Sequence, residues 1–592
     1  MNREEISKDY KWKTSDLYLS DDAWEKEFKK VDLAYANLDM DKYQGKLGDK
    51  SVLLEFFALT DGLFRKVERL YGYAHMRRDE DMRVSKYSSY MSSMGMLFSK
   101  IQSTLAFVEP ELTSLDESVL QSFIEDADFA EYEYKLRKIA MQKAHVLSEA
   151  EEKIIALAGD ALSGFQDVFM LLDNANLNLP KAKLNGEEVQ MSHGLYGLVL
   201  HNGTREERRE WFKTYYSAYI KVIDVITQTY YGNIKQDIFY KTARKYDSCL
   251  SMAMQGEDVD PVVYNNLLEA VNEALPALHD YIKVRKETLG FDEQHMYDVY
   301  VPLVEDADIK VPFDEAYETV IRGLAPLGKE YEKLLRKGRE QSWIDVYETE
   351  SKRSGAYSTA TYDCHPYVLL NYQETTNDIF TVAHEMGHAI HSYLSNANQP
   401  YTKSHYTIFL AEIASTVNEV LLLKYLYNST QDTKLKKYLL NYYMDSIRAT
   451  LFRQSQFAQF EQAAHEMAEK GEPLNKENLC ALYYDLNKKY YGEHLVHDDE
   501  IAYEWARIPH FYNSFYVYKY ATGIISAISI VKRILTEGES AVKDYFAFLS
   551  SGGCTDPVTI LKRAGVDLTT KAPFEAAMNE FKETLEEFKK LS

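Results

Sequence analysis

Cysteine is scarce: Cys249, Cys364, Cys480 and Cys554 are the only four in 592 residues, scattered without paired spacing. That argues against a disulfide framework or a cysteine-built zinc site and fits a reducing cytosol. Glycine (26) and proline (13) are few against heavy use of Leu, Lys, Glu, Ala and Tyr. The balance favours long helices over a sandwich or barrel. Basic residues number 68 against 92 acidic ones, a net charge of −24. Such a surface argues against nucleic acid or an anionic membrane as partner. It is compatible with short peptides as partners, basic ones in particular, while solubility alone is the simpler account of it. Long hydrophobic runs are missing too. The longest, Ala521 to Val531, is interrupted and too short to span a bilayer. The opening Met1 to Lys11 has no apolar core of a secretory signal, so a cytoplasmic location is expected.

What is present is length, and apolar content of 45%, enough for a sizeable core but too much chain for a single one. Two or more lobes are expected. The 47 tyrosines suit helix–helix packing, with some lining a cleft. No internal repeat marks a boundary. The chain reads as an N-terminal helical segment (1–115), a helical lobe with a short hairpin (116–200) and a large remainder (201–592). Apolar periodicity predicts helices over 53–73, 87–108, 120–144, 149–172, 205–240, 261–289 and 313–337, then over 416–427, 434–470 and 476–491. Asn185-Gly186 marks a hairpin turn. The piece Met296 to Pro302 reads as extended. Between 343 and 373 the runs at 343–347, 358–362 and 366–372 are β-prone, predicting a small sheet whose edge is 366–372 or 355–359.

After that sheet comes the stretch that carries most chemical information, Phe380-Thr-Val-Ala-His384-Glu385-Met386-Gly387-His388-Ala-Ile-His391. Helical residues four apart share a face, so His384 and His388 can aim two imidazoles at one cation, commonly Zn²⁺. Glu385 is offset by about 100° around the helix, where it flanks the metal and can take a proton from a metal-bound water. Chance placement of this composition gives about 0.03 to 0.05 such matches, so coincidence is a poor account. His465-Glu466-Met-Ala-Glu469 starts alike but ends in Glu, within a charged stretch, and reads as a solvated helix end.

A third ligand is needed. One class of zinc peptidases places Gly three residues after the second His and another His three further on; His391 and Leu394 occupy those positions. The other class draws a Glu from a following helix. Glu412, after the polar loop Ser395 to Pro400, can return to the metal, and Glu419 lies two turns on near the same face. Glu419 is suited to hold a ligand imidazole, or is a surface carboxylate. His391 reads as backing or lining the cleft. His494 and His497 beside three acids read as a hydrated loop in preference to a second metal site.

These residues, with Lys352 to Ser358, Pro366 to Tyr372, Phe409-Leu-Ala-Glu412-Ile-Ala-Ser415 and Ile508 to Gly523, resemble the thimet-oligopeptidase-type metallopeptidases, in particular their bacterial oligoendopeptidase F branch. The resemblance implies a mainly α, multi-lobed helical clamshell with a small β-sheet beside the His-Glu-x-x-His helix. The catalytic domain is then 201–592, with its zinc site at 380–420 and a substrate and oxyanion segment at 505–523. One Zn²⁺ per chain is expected on His384, His388 and Glu412, with Glu385 activating water. Family members similarly place a His and a Tyr from the C-terminal region over the metal, here His510 with Tyr516 and Tyr520, and Tyr512 as a third candidate along an i, i+4 ladder. Phe515 stands where one branch has a Tyr. Arg507 is open between gripping a substrate carboxylate and pairing with an acid. The implied activity is endopeptidase cleavage of short unstructured peptides. A helical zinc carboxypeptidase, a catalytically silent peptide-binding protein and a purely structural helical protein are the alternatives.

Overall fold

The structure is a computed structural model that describes residues 2–304 and 310–591. It divides into two compact units. One gathers Met1–Val146, Asp308–Tyr425 and Ile530–Val566; the other gathers Leu147–Ala307, Leu426–Ser529 and Asp567–Ser592. Each is therefore built from separate stretches of chain, which no composition shift in the sequence announces. Both are mainly helical.

In the first unit the helices Lys50–Glu80 and Ser85–Leu105 close on a core that includes Trp24, Val67, Leu70, Tyr90 and Met94. Tyr367 and Leu369 of a three-stranded sheet join the same core. The strands are β1 (Ile344–Tyr347), β2 (Tyr357–Thr359) and β3 (Tyr367–Tyr372), in the order β1-β3-β2. β3 runs parallel to β1, with Ile344 opposite Val368. It runs antiparallel to β2, with Ser358 also opposite Val368. The central β3 is a nearly continuous buried run, as a strand flanked on both sides should be. The edge next to the following helix is thus β2, within 355–359. The alternative reading of 366–372 as an edge fails, because those residues pair on both sides.

The chain's start is tied beneath this sheet. Asp345 on β1 is buried, and Arg3 meets it with two hydrogen bonds of 2.8 and 2.6 Å while Lys352 Nζ lies 2.8 Å away. Burial alone would push the Asp345 carboxyl up, but the hydrogen bond and charge of Arg3, with Lys352, hold it below its ordinary value.

In the second unit Arg205–Ala243 is the longest helix, and Glu149–Leu171 packs along it, joined at its start by a two-pronged Glu152–Arg244 pair at 2.9 Å. Among the described residues, one stretch, Ala150–Asn176, is long and apolar enough to cross a membrane by length and composition. Polar residues such as Ser163, Gln166 and Asp167 interrupt its apolar residues, so it is not a continuous hydrophobic run. The hairpin Lys181–Leu184 with Glu187–Gln190 forms as expected, with Asn185 (φ 53°) and Gly186 (φ 84°) both left-handed at its turn.

Several expected helices are interrupted. The 120–144 run becomes Glu117–Glu125 and Glu133–Gln142, because Asp126 caps a short turn between them by accepting the Asp128 amide. The 313–337 run breaks into Phe313–Gly323 and Gly328–Glu340, since Pro326 cannot donate to a helix and Gly328 adopts φ 85°. The 434–470 run continues only through a π-turn at Arg448–Phe452. Met296 is not extended; Met296–Asp298 is a 3-10 turn, held by Asp298 accepting the His295 amide at 3.1 Å.

The Arg3 anchor yields a measurable consequence. Arg3→Ala is expected to lower stability at pH 7 by about 1–3 kcal/mol, the range for hydrogen bonds to a charged buried group. Asp345 has a depressed folded pKa, so its contribution is present above its unfolded value of about 3.9 and lost as pH falls through the folded one. Urea melts of both proteins should therefore differ most near neutrality and converge below pH ~4.

Candidate metal centre

The helix Thr376–Asn398 carries the His-Glu-x-x-His stretch. It starts at a capping box in which Thr375 and Asp378 satisfy each other's amides, and Ile379, Phe380, Val382, Ala383, Met386, Ala389 and Ile390 bury its apolar side. It packs on β2 and β3. The polar stretch expected to begin a loop at Ser395 remains helical to Asn398.

The second helix, Ile408–Ser429, crosses the first at Gly387. A β-carbon there would stand 2.6 Å from Ser415 Cα and 2.7 Å from the Ala414 carbonyl oxygen, so only glycine lets the backbones meet. One turn along, buried Asn418 donates to the Ala383 carbonyl at 2.9 Å and accepts from Tyr331 at 2.9 Å. Glu412 enters this close crossing, and the Ser415 hydroxyl donates to its Oε2 at 3.2 Å.

His384 Nε2 and His388 Nε2 are 3.2 Å apart, and each is 3.4 Å from Glu412 Oε2. Ligand atoms on a tetrahedral zinc with bonds of roughly 2.0–2.2 Å stand roughly 3.3–3.6 Å apart. The three atoms thus form one face of a tetrahedron of suitable size. Glu419 holds His384 Nδ1 from behind, fixing the tautomer that points Nε2 at the trio. Burial disfavours the imidazolium of His384, yet the Glu419 hydrogen bond and the surrounding carboxylates lift it to about 9. Burial likewise pushes Glu412 up, but His388 and His384 hold it at about 2. Three carboxylates against two imidazoles leave the cluster short of positive charge, so the donor set suits a divalent cation.

Glu385 is buried and its Oε2 has no hydrogen-bond partner. Burial raises its pKa above the ordinary value, partly offset by the two imidazoles. It lines a cleft of about 410 Å³ with His384, His388, Glu412, Ser358 and Tyr406. His391 stands apart from the trio. It is buried, stacks on Tyr406 at 3.8 Å, and is pushed down to about 3 by burial and the His388 charge. It backs the wall of the cleft as a neutral ring.

His510, Tyr516 and Tyr520 belong to the second unit and cluster there. Their ring centres are 6.0 Å (His510–Tyr516), 6.0 Å (His510–Tyr520) and 5.6 Å (Tyr516–Tyr520) apart. Desolvation and then the Arg453 charge push the His510 imidazole down, so it is neutral near pH 7. Tyr512 is not on a shared ladder with them, because Pro509–Tyr512 is a 3-10 turn and the next helix starts only at Tyr518. Its hydroxyl bonds Thr229 at 2.7 Å and its ring stacks on Phe169, a packing role. Arg507 pairs with buried Glu504 at 2.8 Å. His465 is buried, not solvated: its Nε2 lies 3.1 Å from Asp237 and its Nδ1 donates to the Glu461 carbonyl. His497 bonds Asn487 and the Gly492 carbonyl. Among the described residues, His384, His388 and Glu412 form the single group of three suited to a metal.

Residues 198–580 match peptidase family M3, and residues 111–178 match oligopeptidase F. The chain is 42% identical to oligopeptidase PepF of Bacillus subtilis, over 100% of this chain and 88% of that one. A solved structure from Chlamydophila abortus superposes with a TM-score of 0.94 at 36% identity, covering 100% of both chains. Oligoendopeptidase-F from Enterococcus faecium does so at 0.74 and 33%, covering 96% of this chain and 99% of that one. The chain belongs to peptidase family M3. For a family M3 chain, the residues that sequence reading left aside are Gly387, Ser415 and Asn418, which set the helix crossing. Gly387 was visible inside the motif, but nothing in the sequence says which backbone approaches it.

Gly387→Ala should destabilise the protein by about 1–3 kcal/mol through overpacking, seen in thermal melts, and loosen metal uptake with it. Glu419→Gln should leave the far-UV circular dichroism unchanged while weakening metal affinity about 10–100-fold, read by competition with a chromogenic chelator. Unchanged affinity in the Gln variant would remove Glu419 from the site.

Proposed function

We propose that this family M3 peptidase is a zinc-dependent endopeptidase that hydrolyses internal bonds of short, unstructured oligopeptides. The observation that carries this reading is the trio of donor atoms at tetrahedral spacing beside a buried carboxylate with a free oxygen. His384, His388 and Glu412 would hold the ion. A bound zinc ion supplies Lewis-acid polarisation and lowers the pKa of water toward about 7.

Glu385 takes a proton from the attacking water and gives it to the departing amide nitrogen, so one carboxylate serves as base and then acid. Its raised pKa suits both halves of that cycle. The outer strand β2, whose Tyr357 and Ser358 line the cleft, offers backbone groups to an extended peptide. His510, with Tyr516 and Tyr520, donates hydrogen bonds to the oxyanion; neutral donors suit a developing negative charge. The names of the relatives, oligopeptidase and oligoendopeptidase, support oligopeptides as substrates. The four cysteines are free thiols, in keeping with a cytoplasmic setting.

An internally quenched peptide of about ten residues, the upper end of ordinary strand lengths, with an amidated C-terminus should be cut internally, with cleavage lost to chelator and regained with zinc. Trimming of the free-acid peptide alone would make the enzyme a carboxypeptidase. Glu385→Gln should keep zinc and fold while losing about 10²–10⁴-fold in kcat. His510→Ala should lose about 10²–10³-fold in kcat, and a normal rate there would remove His510 from the mechanism.

A further inference from the structure

Between His510 and Tyr516 the backbone turns through Phe515, which sits at φ 58°, a left-handed conformation unusual for a residue with a β-carbon. Something must hold it. The Phe515 amide donates to Glu461 Oε1 at 2.8 Å, and Glu461 is fully buried on the helix Arg453–Glu469. The preceding Ser514 hydroxyl donates to Asp237 Oδ2 at 2.6 Å and accepts from Asn233 at 3.3 Å. His465 closes the network. It bonds Asp237 Oδ2 at 3.1 Å and the Glu461 carbonyl at 2.8 Å, and its ring lies 4.6 Å from that of Phe515. On the far side, Lys519 reaches back over the Tyr516 ring at 4.7 Å. All of these residues belong to the second unit.

A buried polar network of this kind is unusual without a task, because apolar packing would serve stability as well. Its members converge on two consecutive residues, Ser514 and Phe515, and those residues connect the side chains read above as oxyanion donors. We propose that Glu461 is a positioning residue: by accepting the Phe515 amide it fixes the left-handed turn that presents His510 on one side and Tyr516 and Tyr520 on the other. The inference rests on the reading of His510 and the tyrosines as donors. Burial pushes Glu461 up to about 8, so at neutral pH it is largely the uncharged acid, and glutamine is its near-equivalent with the accepting oxygen retained.

The test compares Glu461→Leu, which removes the acceptor, with Glu461→Gln, which keeps it, in the full-length zinc-loaded protein. Three quantities are read: kcat and KM on the quenched peptide, the His510 imidazole resonances by NMR, and the melting temperature. Glu461→Leu should lower kcat about 10–100-fold with KM within about twofold, the pattern of an interaction realised only in the transition state, and should shift the His510 resonances. Glu461→Gln should restore both. If the Leu variant does not fold, Ser514→Ala removes the adjoining anchor more gently and should lower kcat about 3–10-fold with the same resonance shift, a loss in line with the net worth of one hydrogen bond. A lower melting temperature with wild-type kcat and unshifted His510 resonances in the folded variants would overturn the proposal. The donor reading fails separately, if His510→Ala is fully active while the Glu461 variants still move the His510 environment.

Discussion

The metal centre depends on how closely two helices approach at Gly387. A single helix can aim two imidazoles from positions four apart, but the third donor must come from another element. Helix axes in ordinary contact lie 8–10 Å apart, with side chains between them. At Gly387 there is no side chain to hold Ser415 and Ala414 away, so the Glu412 carboxylate reaches both imidazoles at 3.4 Å. Asn418 then locks the crossing by joining the Ala383 carbonyl to Tyr331. The sheet seats the first helix, and the Arg3–Asp345–Lys352 cluster seats the sheet. The short distances at the centre are in this sense built from the backbone outward.

Charge is distributed by environment over three carboxylates of the same type. Glu412 faces both imidazoles and stays ionised far below its ordinary range. Glu419 spends its charge on His384 Nδ1, which orients the ring. Glu385 shares neither contact; burial lifts it and leaves one oxygen unpartnered. Three glutamates thus reach different charge states and contacts by position alone, the way environment sets carboxylates apart within a few ångströms.

Much of this was legible in the sequence because it is local. The spacing of His384 and His388 and the offset of Glu385 follow from helical geometry. The Asn185-Gly186 hairpin is local for the same reason. What escaped was in part non-local and in part local backbone chemistry that periodicity does not register. The two units interleave three stretches of chain each, and nothing in the composition at 146 or 308 marks a change of unit. The 120–144 run looks like one helix by periodicity, since a side-chain cap such as Asp126 competes with the helix only through local hydrogen bonds that periodicity does not weigh. The tyrosine ladder failed similarly: i, i+4 spacing between 512 and 516 means a shared face only if the backbone there is helical, and it is not.

His465-Glu466 offers an internal comparison with His384-Glu385. Both histidines lie on helices and lose much of their exposure, so neither burial nor the dipeptide distinguishes them. Their nitrogens do. Both ring nitrogens of His465 are taken, one by the backbone of its own helix and one by Asp237, which leaves no lone pair for a cation. His384 has one nitrogen held by Glu419, and its other converges with His388 and Glu412. A ligand histidine is thus recognised by what its second nitrogen faces. In a helix that is decided by the residue four positions on: His388 repeats the imidazole and brings its Nε2 to 3.2 Å from that of His384, whereas Glu469 accepts the Cys249 amide instead. The same dipeptide opens a candidate metal site in one helix and forms a structural clasp in the other.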